Sequence, residues 1–483
     1  QRPYYRIMKS SKQAASHVKS ANWLHGGARY AVLLLGDILA YYGSLILTLF
    51  VRYGAESFQG DAFFIHRYAF TWGLVIWLLV FYIGELYDRQ IVVRSVLDRR
   101  FFALVGIGGI LLILLFYFSP SLGITPKINL LLFVAIYSVI GYSWRMVFNR
   151  LVRTAAGKAS VRVMIIGSSV AADEVSRAIT HNPAYGYSII YWLKDGLQTY
   201  ADPTKFMNEV RSRQIDLIVI PQNLEHDPGA VRLLYTALMH GISIVTLPDF
   251  YERIFEKVSL AILDEAWLIR NLSDRRPRYR FIRRMAEPVI AGLILLVASP
   301  LMLLAAILIP LSSRGSILYR QTRVGYDGKL FTLYKFRSMY ARKDKNPDAD
   351  QTSPTWSSGS DDLRVTAMGR ILRATHLDEF PQLFNIIRGD MSFVGPRPER
   401  PQFTADLEIK IPYYSLRYLV RPGATGWAQL NYPYGASVED AYQKLQYDIY
   451  YIKRRSAWLD LTIVLRTIKR IFVPAAFPLQ AHE

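Results

Sequence analysis

DDLRVTAMGRILRATHLDEFPQLFNIIRGDMSFVGPR, residues Asp361–Arg397, holds the densest chemistry in the chain, around one adjacent acidic pair, Asp378-Glu379. The pair sits among Leu377, Phe380, Leu383 and Phe384, which reads as a helix with an apolar face. Neighbouring helical positions lie about 100° apart, so the two carboxylates face different ways and serve different ends. One attacks or binds metal while the other orients a group or moves a proton. Gly389 reads as the helix end, and Gly395-Pro396-Arg397-Pro398 as a stiff turn presenting a guanidinium. The bland alternative for Asp-Glu before Phe-Pro is a helix start whose charges suit the dipole.

The surroundings decide between these readings. Upstream lies Tyr334-Lys335-Phe336-Arg337-Ser338-Met339, and downstream Val420-Arg421-Pro422-Gly423-Ala424-Thr425-Gly426-Trp427. Cationic segments punctuated by Gly and Pro, on both sides of a carboxylate pair, point to an anionic, phosphate-bearing substrate.

These motifs (YKFRSM, RATHLDEFPQLFNIIRGDMSFVGPRP and RPGATGWAQL) resemble the bacterial sugar transferases, the monotopic phosphoglycosyl transferases. The resemblance runs from Tyr279 to Phe472, with the motifs in the family's order. His376 departs from it, standing where most members are expected to carry Ser.

The rest of the chain fits a membrane enzyme. It has 483 residues, 52% of them hydrophobic, a net charge of +20 and no cysteine; mean hydropathy is +0.15. That length exceeds one ordinary domain. Without cysteine there is no disulfide framework and no thiolate metal site. With long apolar runs present, the positive charge reads as meant for anionic headgroups and phosphorylated substrates rather than nucleic acid. The basic start precedes a long apolar segment with no convincing small-residue cleavage site, which reads as an uncleaved anchor rather than a signal peptide.

Four apolar segments, about 30–52, 68–87, 101–119 and 126–144, approach the roughly 20 residues that a crossing helix needs. The loop after the second carries Arg89, Arg94, Arg99 and Arg100, and the fourth is followed by Arg145, Arg150, Arg153 and Lys158. The other two loops are poorer, with Arg52, Arg67 and Lys127. The positive-inside rule then puts the start, the middle loop and everything beyond Trp144 in the cytoplasm. Ionisable residues within these segments are too sparse for an obvious conduction path: Asp37 is one, and Glu85 lies near a segment end; Asp37 reads as structural, paired with another helix.

From Ser160 the pattern turns α/β, with strands expected at Val161–Gly167, Ile215–Pro221 and Gly241–Leu247 and a helix over Ala171–Ile179. This predicts a Rossmann-like parallel sheet. Gly167-Ser168-Ser169-Val170-Ala171-Ala172 keeps only the first glycine of GxGxxG, which favours a structural or regulatory module over a dinucleotide site.

Basic residues over Asn271–Arg284 precede the apolar run Pro288–Leu311. Arg314, Arg320 and Arg323 follow, so both flanks are basic, and Ser299-Pro300 lies mid-run. Proline removes a helical hydrogen bond, and a serine hydroxyl can replace it. This reads as a re-entrant helix–break–helix at about 284–311 that enters and leaves on the cytoplasmic face; the resemblance implies the same. Ile317–Phe336 reads as two short strands about Gly325-Tyr326-Asp327-Gly328, and Arg342–Asp362 as a mobile loop or lid. Pro412–Val420 and Trp458–Phe472 fit either interfacial helices or ordinary core.

The expected architecture is a membrane protein of α + α/β class. It comprises a four-helix transmembrane bundle (1–150), a Rossmann-like domain (151–265) and an α/β catalytic domain with the re-entrant helix (266–483). The resemblance implies transfer of a sugar 1-phosphate from a UDP-sugar to polyprenyl (undecaprenyl) phosphate, releasing UMP, with Mg2+. It opens assembly of exopolysaccharide, O-antigen or capsule at the bacterial inner membrane. Carried over, Asp378 is the nucleophile and a magnesium contact, and Glu379 assists by helping to deprotonate the lipid phosphate or by orienting metal and acceptor. Lys335, Arg373 and Arg397 are phosphate contacts, with Arg337 and Arg421 as further phosphate candidates. Gly423 shapes the nucleotide end beside Arg421. Asp448 is a site residue with metal, sugar and structural roles open. Ser299 and Pro300 set membrane geometry. A homodimer is compatible with this architecture. The competing classes are a membrane-anchored nucleotide-sugar dehydratase or epimerase, which needs an intact GxGxxG and a Tyr-x-x-x-Lys pair, and a lipid-binding scaffold, which leaves Asp378 unexplained.

Overall fold

The computed structural model describes residues 27–54, 61–84, 86–87, 97–118, 127–158, 160–182, 185–197, 202–272, 276–340, 364–433, 435 and 437–472. Glu85, Arg89, Arg94 and the expected lid Arg342–Asp362 lie outside them. The chain divides into two compact units, Gln1–Phe250 and Tyr251–Glu483.

The first unit opens with four long apolar helices, α1 (Gly27–Tyr53), α2 (Asp61–Ile83), α3 (Leu97–Phe118) and α4 (Lys127–Lys158). They pack on one another around a buried aromatic core of Tyr41, Phe70, Trp77, Phe81, Phe101, Phe133 and Tyr137. Tyr41 meets Phe133 and Trp77 edge-on at 4.8 and 5.8 Å, the geometry that aromatic quadrupoles prefer. Gly36 lets α1 approach α4, since a Cβ there would lie 1.9 Å from the Trp144 ring. The outward faces are apolar too, with Leu39, Tyr117, Leu131 and Val139 exposed. Helices apolar all round belong in a bilayer. Each has a stretch long and apolar enough to cross one. The expected structural role of Asp37 is seen directly: it pairs with Arg145 of α4 at 2.5 Å and accepts from Tyr87 at 2.8 Å. Arg145 also donates to the Leu86 carbonyl at 2.9 Å. A buried carboxylate so compensated stays in place.

The same unit carries a four-stranded sheet, parallel throughout, in the order β2-β1-β3-β4. Its strands are β1 (Val161–Ile166), β2 (Tyr187–Leu193), β3 (Leu217–Ile220) and β4 (Ser243–Thr246), joined through α5 (Val170–His181), α6 (Pro203–Ser212) and α7 (Pro228–Met239). β2 was not anticipated from the sequence. As a half-exposed edge strand it shows neither strict alternation nor a continuous buried run.

The second unit is organised by α8 (Pro277–Ser312), a 36-residue helix with Pro288, Pro300 and Pro310 inside it. The helix runs on through the expected break at Ser299-Pro300. Pro300 has no N–H for the carbonyl four residues back, and the Ser299 hydroxyl fills that place, donating to Leu296 O at 2.7 Å. One face of α8 is buried in two zones. Ala291 and Leu295 pack with Leu333, Leu383, Ile386 and Met391. Met302, Ala305 and Ile309 pack with Phe336, Leu372 and Leu377. The other face, including Val289, Val297, Leu303 and Leu311, is exposed.

After α8 comes the expected hairpin, β5 (Leu318–Val324) antiparallel to β6 (Leu330–Phe336), with Leu318 opposite Phe336 and Val324 opposite Leu330. Its turn uses positive φ at Asp327 (57°) and Gly328 (71°). Then follow α9 (Ala367–Ala374), α10 (Gln382–Arg388), β7 (Ser392–Val394), α11 (Pro401–Lys410), β8 (Gly423–Thr425), α12 (Val438–Arg454) and α13 (Ala457–Phe472). β7 and β8 pair in parallel, Ser392 opposite Gly423 and Val394 opposite Thr425. Of the two ambiguous C-terminal stretches, the first buries Tyr414, Arg417 and Val420 in the domain and leaves Leu419 exposed. The second divides by face: Ile463 is buried, while Trp458 and Leu461 are exposed.

Candidate active site

Asp378 and Glu379 do not lie on the helix expected for them. They form a single 3-10 turn, Leu377–Glu379, between α9 and α10. The chain leaves α9 because Thr375 returns its hydroxyl to Ile371 O at 2.8 Å and His376 takes a left-handed conformation, φ 55°. Gly389, at φ 84°, ends α10 as expected. The apolar neighbours still do what their pattern indicated: Leu377 packs with Ala305 and Leu372, and Phe380 with Ala291 and Leu383. The carboxylate turn is thus pinned to both buried zones of α8.

Two further contacts fix the turn against β6. Asn385 of α10 is fully buried. It donates to Thr332 O at 2.7 Å and accepts from Tyr334 N at 3.2 Å, completing the outer edge of β6. Gly369 of α9 lies where any Cβ would collide with the Ser338 carbonyl, 1.9 Å away. That approach lets Arg373 Nε reach Ser338 Oγ at 3.1 Å. Lys335, Arg373 and the acidic pair therefore meet because three elements cross at one point.

The two carboxylates have opposite environments. Glu379 accepts from Lys335 Nζ at 2.5 Å, and Arg397 Nη2 lies 3.9 Å away. Burial disfavours its charge, but Lys335, Arg397 and His376 outweigh that and hold it down to about 2. Asp378 is 8% exposed. Burial, reinforced by the Glu379 charge, raises its pKa above the ordinary 3.8, while Lys335, Arg373 and His376 oppose this through space. Adjacent groups pushed apart in this way are suited to different chemical roles.

Five of the anticipated residues are brought together: Asp378, Glu379, Lys335, Arg373 and Arg397. The others stand apart. Arg337 is buried and donates to Ser313 O at 2.5 Å, capping the end of α8. Arg421 lies over the end of α10, 3.7 Å from a Cβ built on Gly389, in the field of Glu287 and Arg284. Gly423 packs against Gly395, where a Cβ would come within 2.0 Å of the Gly395 nitrogen, so the two glycine turns interlock. Asp448 is buried behind Arg397 and pairs with Arg417 at 3.1 Å. Ser299 and Pro300 lie on α8. Asn385, Ser338, Arg323 and Arg417 were not singled out from the sequence. For Arg417 a signal existed, the one charged residue in the mostly apolar and aromatic Tyr413–Val420.

Among the described residues, no group of three or more His, Asp or Glu side chains converges as a metal site. The one carboxylate not taken up by a hydrogen-bonded cation in this turn is Asp378. Magnesium commonly binds through one or two carboxylates together with substrate phosphates, so this donor set fits that ion.

Residues 278–474 match the family described as bacterial sugar transferase. Among curated proteins, the chain is 41% identical over 240 residues to a UDP-N-acetylgalactosamine-undecaprenyl-phosphate N-acetylgalactosaminephosphotransferase of Aeromonas hydrophila, covering 50% of this chain and 55% of that protein. It is 30% identical over 327 residues to a UDP-glucose:undecaprenyl-phosphate glucose-1-phosphate transferase of Xanthomonas campestris pv. campestris, covering 64% and 66% of the two. It is 46% identical over 188 residues to a protein of the same name from Caulobacter vibrioides, covering 38% of this chain and 68% of the relative. Of the first two relatives' own lengths, then, the chain spans 55% and 66%. A match through every element that builds the carboxylate turn, from α8 to α13, places this chain in the bacterial sugar transferase family.

Proposed function

We propose that the chain transfers a sugar 1-phosphate from a UDP-sugar to undecaprenyl (polyprenyl) phosphate, releasing UMP, in two steps. The observation that carries this reading is the contrast within the pair. Asp378 is a buried carboxylate approached by cations without being tied to one, whereas Glu379 is fixed to Lys335. In the first step an Asp378 oxygen attacks the sugar-bearing phosphorus. The bond from that phosphorus to the UMP oxygen breaks, and UMP leaves with the electron pair. In the second step an acceptor phosphate oxygen attacks the same phosphorus. The bond to Asp378 breaks, the carboxylate is regenerated, and the sugar is left on a polyprenyl diphosphate. A phosphate monoester has a second pKa of about 6, so the acceptor reaches the site largely as a dianion.

Glu379, held at about 2, is a weak base, which favours the orienting role over proton removal. It keeps Lys335 and Arg397 aimed at the space beside Asp378, where they and Arg373 meet phosphate oxygens. Asp378 would hold magnesium together with the donor diphosphate, and the ion would supply charge neutralisation there.

The same proposal includes the membrane geometry. Both sides of Ser299-Pro300 pack on the domain that bears the site, through Ala291 and Leu295 before it and Ala305 and Ile309 after it. Its 36 residues would span about 54 Å if straight, well beyond a bilayer core of about 30 Å. This supports re-entry on the cytoplasmic face of a bacterial inner membrane, to which the four apolar helices also anchor the chain. The parallel sheet is the Rossmann-like module. Its first turn is closed by the chain itself: Trp192 Nε1 donates to Gly167 O at 2.8 Å, and Ser169 caps α5. That runs against the dehydratase class. The relatives' names carry both glucose and N-acetylgalactosamine, so the donor is proposed only as a UDP-sugar.

The test is UMP release from a panel of UDP-sugars with magnesium and undecaprenyl phosphate, comparing wild type with Asp378→Asn. Acceptor-dependent UMP that is lost in the variant supports the reading. Turnover retained in Asp378→Asn refutes the nucleophile, and no UMP from any donor refutes the reaction.

A further inference from the structure

Arg397 sits between two prolines, in a turn that reaches outside itself for every carbonyl partner. Pro396 O accepts from Gly423 N at 2.9 Å and Glu399 O from Val324 N at 3.0 Å. The two carbonyls between them are held by guanidiniums. Arg417 Nη2 donates to Arg397 O at 2.9 Å, and Arg323 Nη1 to Pro398 O at 2.8 Å. Neither arginine is a surface group: their side chains are 7% and 15% exposed. Each is anchored in turn. Arg417 pairs with Asp448 of α12 at 3.1 Å and donates to Tyr414 Oη. Arg323 donates to Gln321 Oε1 at 2.5 Å and lies 3.9 Å from Glu399.

Buried ion pairs of this kind are costly and often replaceable by apolar residues without loss of stability. What this one holds is the backbone of the residue whose guanidinium faces Glu379. We propose that Asp448 and Arg417 are positioning residues which, with Arg323, fix the Arg397 backbone and so aim its guanidinium at Glu379 and the donor phosphates. The inference rests on the reaction proposed above and resolves the open role of Asp448: it touches neither substrate nor metal and acts through Arg417.

A pH signature accompanies the geometry. Asp448 faces Arg417 and Tyr414 from the segment before β8, Glu399 from the Arg397 turn, and Lys444 on its own helix, with Tyr418 beside Arg417. Burial pushes it up to about 6 against the pull of Arg417. Only the ionised form anchors the guanidinium fully, so activity falls as pH drops through about 6. Folding responds in the opposite sense. A carboxylate whose pKa is raised on folding binds protons more readily in the native state, so its burden on stability is lifted over the same descent.

The experiment uses the full chain in lipid nanodiscs, with Asp448→Asn, Arg417→Lys, Arg323→Lys, Arg397→Lys and the double variant Asp448→Asn/Arg397→Lys. Asp448→Asn is expected to lower kcat/KM by about 30-fold and to flatten the acid limb near pH 6 to the part that the acceptor phosphate's own ionisation leaves, yet to add little to the defect of Arg397→Lys. Amide exchange over Gly395–Arg400 should accelerate in Asp448→Asn and Arg417→Lys and stay unchanged over β6. Additive defects, or wild-type exchange in the turn, would overturn the proposal. Should Asp448→Asn not fold, Arg323→Lys makes the same exchange measurement through Pro398 O. Absence of UMP from the wild type would count against the reaction instead, and exchange alone would then decide the positioning role.

Discussion

Lys335 Nζ lies 2.5 Å from Glu379 Oε1, and this contact separates two carboxylates that are neighbours in sequence. Lys335 belongs to β6 and Glu379 to the turn after α9. The ion pair therefore depends on Asn385 holding α10 to the edge of β6.

Removing the cation should move the acid stability of the protein. A carboxylate depressed to about 2 contributes stability above its unfolded pKa of about 4.3, and that contribution disappears as pH falls from there towards 2. Lys335→Met takes away the chief opposing charge, so Glu379 titrates closer to its unfolded value. Unfolding midpoints of the purified chain, measured from about pH 5 to about pH 3, should fall less steeply in the variant than in wild type. UMP release should drop by about a hundredfold or more, because the same ammonium faces Asp378. An unchanged acid slope would show that Lys335 does not set the Glu379 charge.

Asp378→Asn should separate activity from stability. Burial raises this carboxylate, so its charged form is a burden on the fold at neutral pH. An amide of the same shape relieves that burden. The thermal midpoint should stay level or rise, while turnover falls by about a thousandfold or more. A midpoint several degrees lower would mean that the Asp378 charge supports the turn, contrary to its electrostatics.

Arg337 offers a sharper case, because its motif suggested phosphate and its contacts do not. It donates to Ser313 O at the end of α8, and its own backbone N–H bonds Ile317 O at 2.9 Å. Arg337→Met should leave the KM for donor within about twofold of wild type. It should cost about 1.5–3 kcal/mol of stability, the usual worth of a hydrogen bond from a charged group. A large rise in KM at full stability would return Arg337 to the substrate.

How much was legible follows from what each signal reports. The β5–β6 hairpin and β1 were readable because alternation, apolar runs and turn residues are local properties. Of the five clustered residues, Asp378 and Glu379 stand out as an adjacent acidic pair between cationic motifs, while Lys335, Arg373 and Arg397 come from the family resemblance. The 3-10 turn at Asp378 was not legible, since periodicity over so few residues cannot register a left-handed His376. Nor was the difference between Arg397 and Arg337. Both are arginines in basic motifs, and only the tertiary fold shows that one faces Glu379 and the other the end of α8. Asp448 shows the same limit: its partner Arg417 lies 31 residues away in sequence.

The pairing of Ser299 with Pro300 gives a prediction that spans packing and topology. The Ser299 hydroxyl serves Leu296 O because Pro300 has no N–H to offer it. Ser299→Ala should therefore destabilise the wild-type helix by about 1 kcal/mol and have almost no effect in a Pro300→Ala background, where a backbone donor returns. The same change tests re-entry. The sequence contains no cysteine, so single cysteines at Arg280 and Arg314 report the two flanks without background. In sealed vesicles, wild type should label both from the same side. On the proposed re-entry, Pro300→Ala restores a backbone donor at the point where the segment would turn, so the two flanks should begin to label from opposite sides in a fraction of molecules, with UMP release falling in proportion. Opposite-side labelling in the wild type would mean that α8 crosses the bilayer. The packing of Ala291 and Ile309 on one domain would then need another explanation.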